Sequence, residues 1–296
     1  MSTVGNNSTV DWRLIEDLRP LANATSRPSY VASTEDIETF QRDGVVHLPG
    51  AFLDWLEPLR AGLQRNLDAP DDYAFPCDST GHDEPGRFFD SYCNWQLIPE
   101  YLTFVLTSSA ASMAASFMQS TTAQLFHEHA FSKEPGTAKA TPWHHDLPYY
   151  CVDGQQTASI YVALDDISES TAVRFLRGSH RTGDLYKPRA FADGSEYTTS
   201  DETMISAPTD PHSDRSADDV LSTNLVAGDA LVFDFRTLHG SSDTPITSRR
   251  RAFSTRWLGD DVRFIERSGE TSPPLSGLNV APGERMRDDW FPVLWP

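Results

Sequence analysis

Cysteine is scarce in this chain: Cys77, Cys93 and Cys151 are the only three in 296 residues. An odd number at those spacings fits neither a disulfide framework nor a zinc pattern. Free thiols in a reducing compartment are therefore expected. Basic residues are also few, 24 Lys and Arg against 43 Asp and Glu, which gives a formal charge of −19. That balance argues against nucleic-acid and anionic-membrane partners, whose binding needs basic patches. No run of about 18 apolar residues exists, so no transmembrane helix is expected. The start, Met1-Ser2-Thr3-Val4-Gly5, has no basic segment followed by an apolar one. A secretory signal is not expected, and the cytoplasm is the expected location.

What is present changes character along the chain. Residues 1–33 are polar, carry Pro20 and Pro28, and read as an arm with a short helix near Asp11 to Leu18. Residues 34–296 read as one domain. Ser33-Thr34-Glu35-Asp36 is a helix start, with a hydroxyl cap and acids in the first turn, and Gly44 is its stop. A helix from Leu53 to Leu67 and another from Pro99 to Met118 follow. From Gln124 the period shortens to that of strands. Gln124–Phe131, Ser159–Leu164, Ala172–Leu176, Ala230–Phe235 and Arg250–Trp257 read as strands separated by turns. Helices first and strands later exclude a βαβ repeat and point to a mainly β sandwich or barrel with flanking helices. The Asp-, Ser-, Thr- and Pro-rich stretch from about 184 to 219 lacks periodicity and reads as an insertion, with a lid over a site as its functional reading. The apolar tail Trp290-Phe291-Pro292-Val293-Leu294-Trp295 docks on its own barrel or on a second copy, which leaves a homo-oligomer open.

The chemistry concentrates in two segments. Trp143-His144-His145-Asp146-Leu147 contains His-x-Asp, and His239-Gly240-Ser241 lies at the end of a different predicted strand. If residues 144–146 are extended, His144 and Asp146 share a face and His145 points away. Two His and one carboxylate suit non-haem Fe(II) with coordination positions left open. Downstream, Arg249, Arg250, Arg251 and Arg256 compete as a fork for a carboxylate co-substrate. Strand alternation puts Arg250, Ala252, Ser254 and Arg256 on one face, where small residues leave room for a ligand, and favours Arg250. Arg256 is read as a structural ion pair, His127 as a satisfied buried histidine, Lys133 as the start of a turn, and Arg87 as a candidate for the entrance.

Pro142-Trp143-His144-His145-Asp146-Leu147-Pro148-Tyr149, Lys133-Glu134-Pro135-Gly136-Thr137, Gly178-Ser179-His180, and His239-Gly240-Ser241 with Arg250-Arg251-Ala252 together resemble the phytanoyl-CoA dioxygenase family. The resemblance runs from about Asp36 to Asp260. It implies a double-stranded β-helix (a jelly roll, cupin-like) and Fe(II)- and 2-oxoglutarate-dependent oxygenation with O₂. By family analogy His144, Asp146 and His239 hold the iron, and Arg250 clamps the distal carboxylate of 2-oxoglutarate. Ser241 and His129 resemble positions near that co-substrate, and Tyr161 stands where the family can carry Trp. His145 follows the first ligand, where glutamine is common. Asp146 stands where related halogenases have a small residue, so hydroxylation of a C–H bond is favoured. The substrate implied is a small organic metabolite. The rival readings are a zinc-type His₂Asp hydrolase and a β-barrel binding protein without catalysis.

Overall fold

The computed structural model describes residues 18, 26–78, 80, 85–191, 194–208 and 219–296. The helix expected near Asp11 to Leu18 falls outside these residues except for Leu18.

Helix α1 (Thr34–Asp43) begins and ends as its caps dictate. The Ser33 hydroxyl accepts from the Asp36 amide at 3.1 Å, and Gly44 closes the helix at φ +84°. A side chain at Gly44 would also strike the Thr237 hydroxyl 2.4 Å away. Strand β1 (Val45–Leu48) follows. Helix α2 (Leu56–Asp68) is preceded by a separate 3-10 turn at Leu53–Trp55. The helix expected over Pro99–Met118 is two helices, α3 (Pro99–Thr107) and α4 (Ala110–Met118), bent by 50°. Ser108 breaks the run: its backbone is extended (φ −80°, ψ 173°) and its hydroxyl accepts from the Ala110 amide at 3.3 Å. Short polar side chains that bond to the local backbone compete with helix in this way.

The strands are β2 (Cys77–Asp78), β3 (Phe88–Tyr92), β4 (Ala123–Lys133), β5 (Val152–Asp153), β6 (Thr157–Ala163), β7 (Val173–Leu176), β8 (Val220–Leu221), β9 (Ala230–Phe233), β10 (His239–Ser241), β11 (Arg250–Leu258), β12 (Arg263–Phe264) and β13 (Val293–Trp295). An eight-stranded antiparallel sheet runs β1-β9-β6-β11-β4-β3-β2, with β13 added to β4; a smaller sheet runs β10-β7-β8. This is the mainly β, jelly-roll arrangement expected. Strand β3 was not anticipated from the sequence. The apolar tail docks on the chain's own barrel through β13, with Phe291 and Leu294 buried.

One face of the large sheet packs against the helices. Ile160, Val162, Val232, Phe253 and Trp257 meet Leu59, Leu63, Tyr101, Phe104 and Phe117 in one buried cluster. The opposite face floors a cavity. Among the described residues no single helix is long and apolar enough to cross a membrane.

Candidate metal centre

His144, Asp146 and His239 come together, though not by the alternation expected of a strand. His144 and His239 form an isolated antiparallel bridge, each amide donating to the other's carbonyl at 2.9 Å. The two imidazoles therefore lie side by side, 4.2 Å between centroids. Asp146 is helical (φ −70°, ψ −43°) and opens a 3-10 turn, Leu147–Tyr149, that swings its carboxylate back towards them. His239 opens β10 in the smaller sheet and does not end the preceding strand. Gly240 beside it is required by space: a Cβ there would sit 2.9 Å from the Thr141 carbonyl oxygen.

Each ring is fixed in tautomer. His144 Nδ1 lies 2.8 Å from the Pro142 carbonyl and His239 Nδ1 2.9 Å from the Thr237 carbonyl. A carbonyl only accepts, so each Nδ1 carries the proton and each Nε2 presents a lone pair. Both Nε2 atoms lie 3.8 Å from Asp146 Oδ1. Donors at that separation can share one ion at bonds of about 2.0–2.2 Å. Asp146 Oδ2 accepts from the Ser159 hydroxyl at 2.8 Å and lies 3.3 Å from Arg256 Nε. Burial pushes the Asp146 carboxyl up, but the Arg256 charge and the Ser159 hydroxyl hold the group ionised. Burial, then the neighbouring His239, pushes His144 down to about 3, and burial also lowers His239. The trio at neutral pH is thus two neutral imidazoles and one carboxylate, the donor set of a facial triad.

A cavity of about 1070 Å³ opens over this trio, lined also by His129, Tyr161, Arg250 and Arg256. Arg250 donates to the Thr171 carbonyl, and its Nη2 lies 3.4 Å from the Tyr161 hydroxyl. The arrangement combines an open three-donor metal site with a cationic fork in one buried space.

The sequence profile of the phytanoyl-CoA dioxygenase family matches residues 40–252. The chain belongs to the phytanoyl-CoA dioxygenase family. It is a non-haem iron, 2-oxoglutarate-dependent oxygenase. No curated protein matches it significantly. Among solved structures it is similar to the carbocyclase SnoK from nogalamycin biosynthesis at 20% identity, over 90% of this chain and 99% of that chain, with a TM-score of 0.63. It is also similar to the epimerase SnoN, solved with Fe³⁺, α-ketoglutarate and nogalamycin RO, at 19% identity over 88% and 97% with a TM-score of 0.62. EctD from S. alaskensis, solved with 2-oxoglutarate and 5-hydroxyectoine, is similar at 16% identity over 96% and 95% with a TM-score of 0.63. At these identities the likenesses show the fold.

The other expected residues of this dioxygenase-family chain divide. His129 faces the cavity, with Nε2 3.5 Å from Asp90. Ser241 stands one layer behind the lining, its oxygen accepting from the Thr141 amide at 2.9 Å and 3.4 Å from Lys133 Nζ. Arg87 is at the rim, paired with Asp78 at 2.8 Å. His145 points away, against Tyr186, and neither ring nitrogen has a hydrogen-bond partner among the described residues.

Three readings need correction. Lys133 does not start a turn: it ends β4, buried in the cavity wall directly opposite Arg250. Its Nζ donates to the Lys139 carbonyl at 2.5 Å and lies 4.4 Å over the Phe88 ring. His127 is only half satisfied: Nδ1 donates to the Glu128 carbonyl at 3.2 Å, but Nε2 has no partner among the described residues. Arg256 does form the expected ion pair, but with the central carboxylate of the metal site. Alternation along β4, carried two residues further, would have found Lys133. Nothing local in the sequence marks Tyr149, Phe191 and Tyr197, which come from the turn after Asp146 and from the insertion to wall the cavity.

Proposed function

We propose that His144, Asp146 and His239 hold Fe(II), that Arg250 grips the distal carboxylate of 2-oxoglutarate, and that the enzyme hydroxylates a C–H bond of a small organic metabolite. The observation that carries this reading is the convergence of two Nε2 lone pairs and one carboxylate oxygen in the same cavity as Arg250. Bound there, iron supplies O₂ activation coupled to decarboxylation of the oxoacid, giving succinate and CO₂. The chain's own part is positional. The Pro142 and Thr237 carbonyls hold the imidazoles in the ligating tautomer. Ser159 and Arg256 hold Asp146 ionised and oriented. Asp146 also fills the position that a halide needs, which favours hydroxylation over halogenation. Tyr161, Ser241 and His129 support the co-substrate end of the pocket.

The domain reading is one oxygenase domain over 34–296, with the described part of the 184–219 insertion closing the cavity mouth. Support for the latter is local: the Arg189 amide donates to the Tyr149 hydroxyl at 2.7 Å, and the Phe191 ring sits 5.0 Å from that of His144. The free thiols of Cys77, Cys93 and Cys151 support a reducing, cytoplasmic setting. The charge of −19 weighs against nucleic-acid and anionic-membrane partners. Nogalamycin RO in SnoN and 5-hydroxyectoine in EctD support a small-molecule substrate here. Anaerobic addition of Fe(II) and 2-oxoglutarate should give a weak visible charge-transfer band that His144→Ala abolishes. A wild-type protein with no band, which is what a zinc hydrolase or a plain binding protein gives, defeats the reading.

A further inference from the structure

The cavity floor carries its polar groups as rungs of a ladder. Strands β4 and β11 pair so that Lys133 faces Arg250, Phe131 faces Ala252, His129 faces Ser254 and His127 faces Arg256. All eight side chains line the cavity. The first rung is a double cation suited to the oxoacid. The last rung is some six residues away, about 20 Å along the strand, and lies beside the metal donors, with Arg256 Nε 3.3 Å from Asp146.

That last rung is incomplete. Arg256 spends Nε on Asp146 and Tyr150, but Nη1 has no hydrogen-bond partner among the described residues. His127 Nδ1 donates to the Glu128 carbonyl at 3.2 Å, which leaves Nε2 a lone pair with no partner among the described residues; Ser254 Oγ, on the rung before, has none among them either. Arg256 and His127 are only 5% and 3% exposed. Buried polar groups left without partners cost free energy, and native proteins rarely keep several side by side unless a ligand or ordered water completes them. Above the rung the walls are aromatic. Phe75 and Tyr92 stack in parallel, 4.7 Å apart at 10°, and Tyr149, Phe191 and Tyr197 face the same space. The cavity, about 1070 Å³, is slightly larger than the roughly 300–1,000 Å³ usual for small-molecule pockets. The co-substrate alone fills a fraction of it.

We propose that Arg256 Nη1, a donor, and His127 Nε2, an acceptor, form a substrate subsite for a hydroxyl group, and that the substrate is a flat, bulky, largely aromatic molecule bearing a phenolic hydroxyl. The proposal rests on the oxygenase reading for the site as a whole. Arg256 is already neutralised by Asp146, so the rung favours a neutral hydroxyl over a second full carboxylate.

The test titrates the full chain with 2-hydroxyanthracene and with anthracene, which have nearly the same shape with and without a phenolic hydroxyl, and follows quenching of intrinsic fluorescence. Wild type should bind 2-hydroxyanthracene at least about tenfold tighter than anthracene. His127→Phe, which keeps the ring packed against Phe126 and Tyr150, and Arg256→Met should each remove the difference while keeping anthracene affinity. Equal binding of the two probes by wild type, binding of neither, or a preference that survives in His127→Phe overturns the proposal. Mn(II)-dependent 2-oxoglutarate binding is measured alongside. Its absence from wild type defeats the oxygenase reading separately, and its retention in His127→Phe shows that the variant is folded around an intact co-substrate site.

Discussion

The two faces of strand β11 are one residue apart in sequence and opposite in purpose. Arg251, Phe253, Thr255 and Trp257 face the helices; Arg250, Ala252, Ser254 and Arg256 face the cavity. On the helix face the polar side chains of this strand are answered. Arg251 makes a two-pronged contact with Asp165 at 2.7 and 2.9 Å, and Trp257 donates to the Thr255 hydroxyl at 2.8 Å. On the cavity face Arg256 Nη1 and Ser254 Oγ have no partner among the described residues. The same backbone therefore carries stability on one side and unspent polarity on the other. Strand alternation lets the two be separated residue by residue.

That separation can be broken by experiment, and the largest effect belongs to the cavity. His144→Ala removes one of three donors and should lower 2-oxoglutarate turnover by more than about a hundredfold. Its urea midpoint should stay near that of wild type, because the helix face is untouched. Succinate release and denaturant unfolding measure the two sides; a variant that turns over normally would refute the ligand role. Phe253→Ala is the mirror case. Phe253 is fully buried against Tyr101 at 4.5 Å and Phe104 at 5.5 Å. Truncation should cost about 3–5 kcal/mol of stability, while Mn(II)-dependent 2-oxoglutarate affinity in the folded fraction stays unchanged.

Neighbouring arginines sharpen the contrast. Arg250→Lys loses the fork at the co-substrate end and should weaken 2-oxoglutarate binding by about tenfold or more. Arg251→Lys should leave that affinity alone and cost about 1–3 kcal/mol, since it breaks a two-pronged, mostly buried pair with Asp165. Calorimetric titration of both variants decides between them. If Arg251→Lys proves the more damaging to binding, the assignment of faces is inverted.

The legible part of this molecule was whatever depends on local pattern. Ser33 and Gly44 announce a helix because caps are local chemistry. The β11 alternation separates Arg250 from Arg251 because a strand has only two faces. The two histidines and the aspartate stand out by residue type. What stayed hidden depends on distant parts meeting. The way His144 and Asp146 converge rests on a bridge to His239 and a 3-10 turn, neither visible in a His-x-Asp tripeptide. Ser108 breaks a helix whose apolar pattern runs on past it. Phe88–Tyr92 becomes a strand because β2 and β4 flank it. Lys133 reads as a turn residue beside Pro135-Gly136, and only the register of β4 against β11 sets it opposite Arg250.

Lys133 gives the smallest effect and the finest test of the cavity face. Burial, and then the nearby Arg250 charge, push its amine down to about 7; Asp90 works the other way and Lys139 adds to the lowering. Below that pH the amine is charged and attracts the co-substrate carboxylate; above it the amine is neutral. At saturating Mn(II), 2-oxoglutarate affinity should therefore weaken as pH rises through about 7. The loss is about tenfold for each unit by which the bound carboxylate raises the amine's pKa. Burial lowers His127 and His129 below the usual imidazole range, to the acid side of this step. Lys133→Met should bind more weakly at pH 6 and show a flat profile. An identical slope in wild type and Lys133→Met would mean that the amine only fills space beside Phe88, and that Arg250 holds the oxoacid alone.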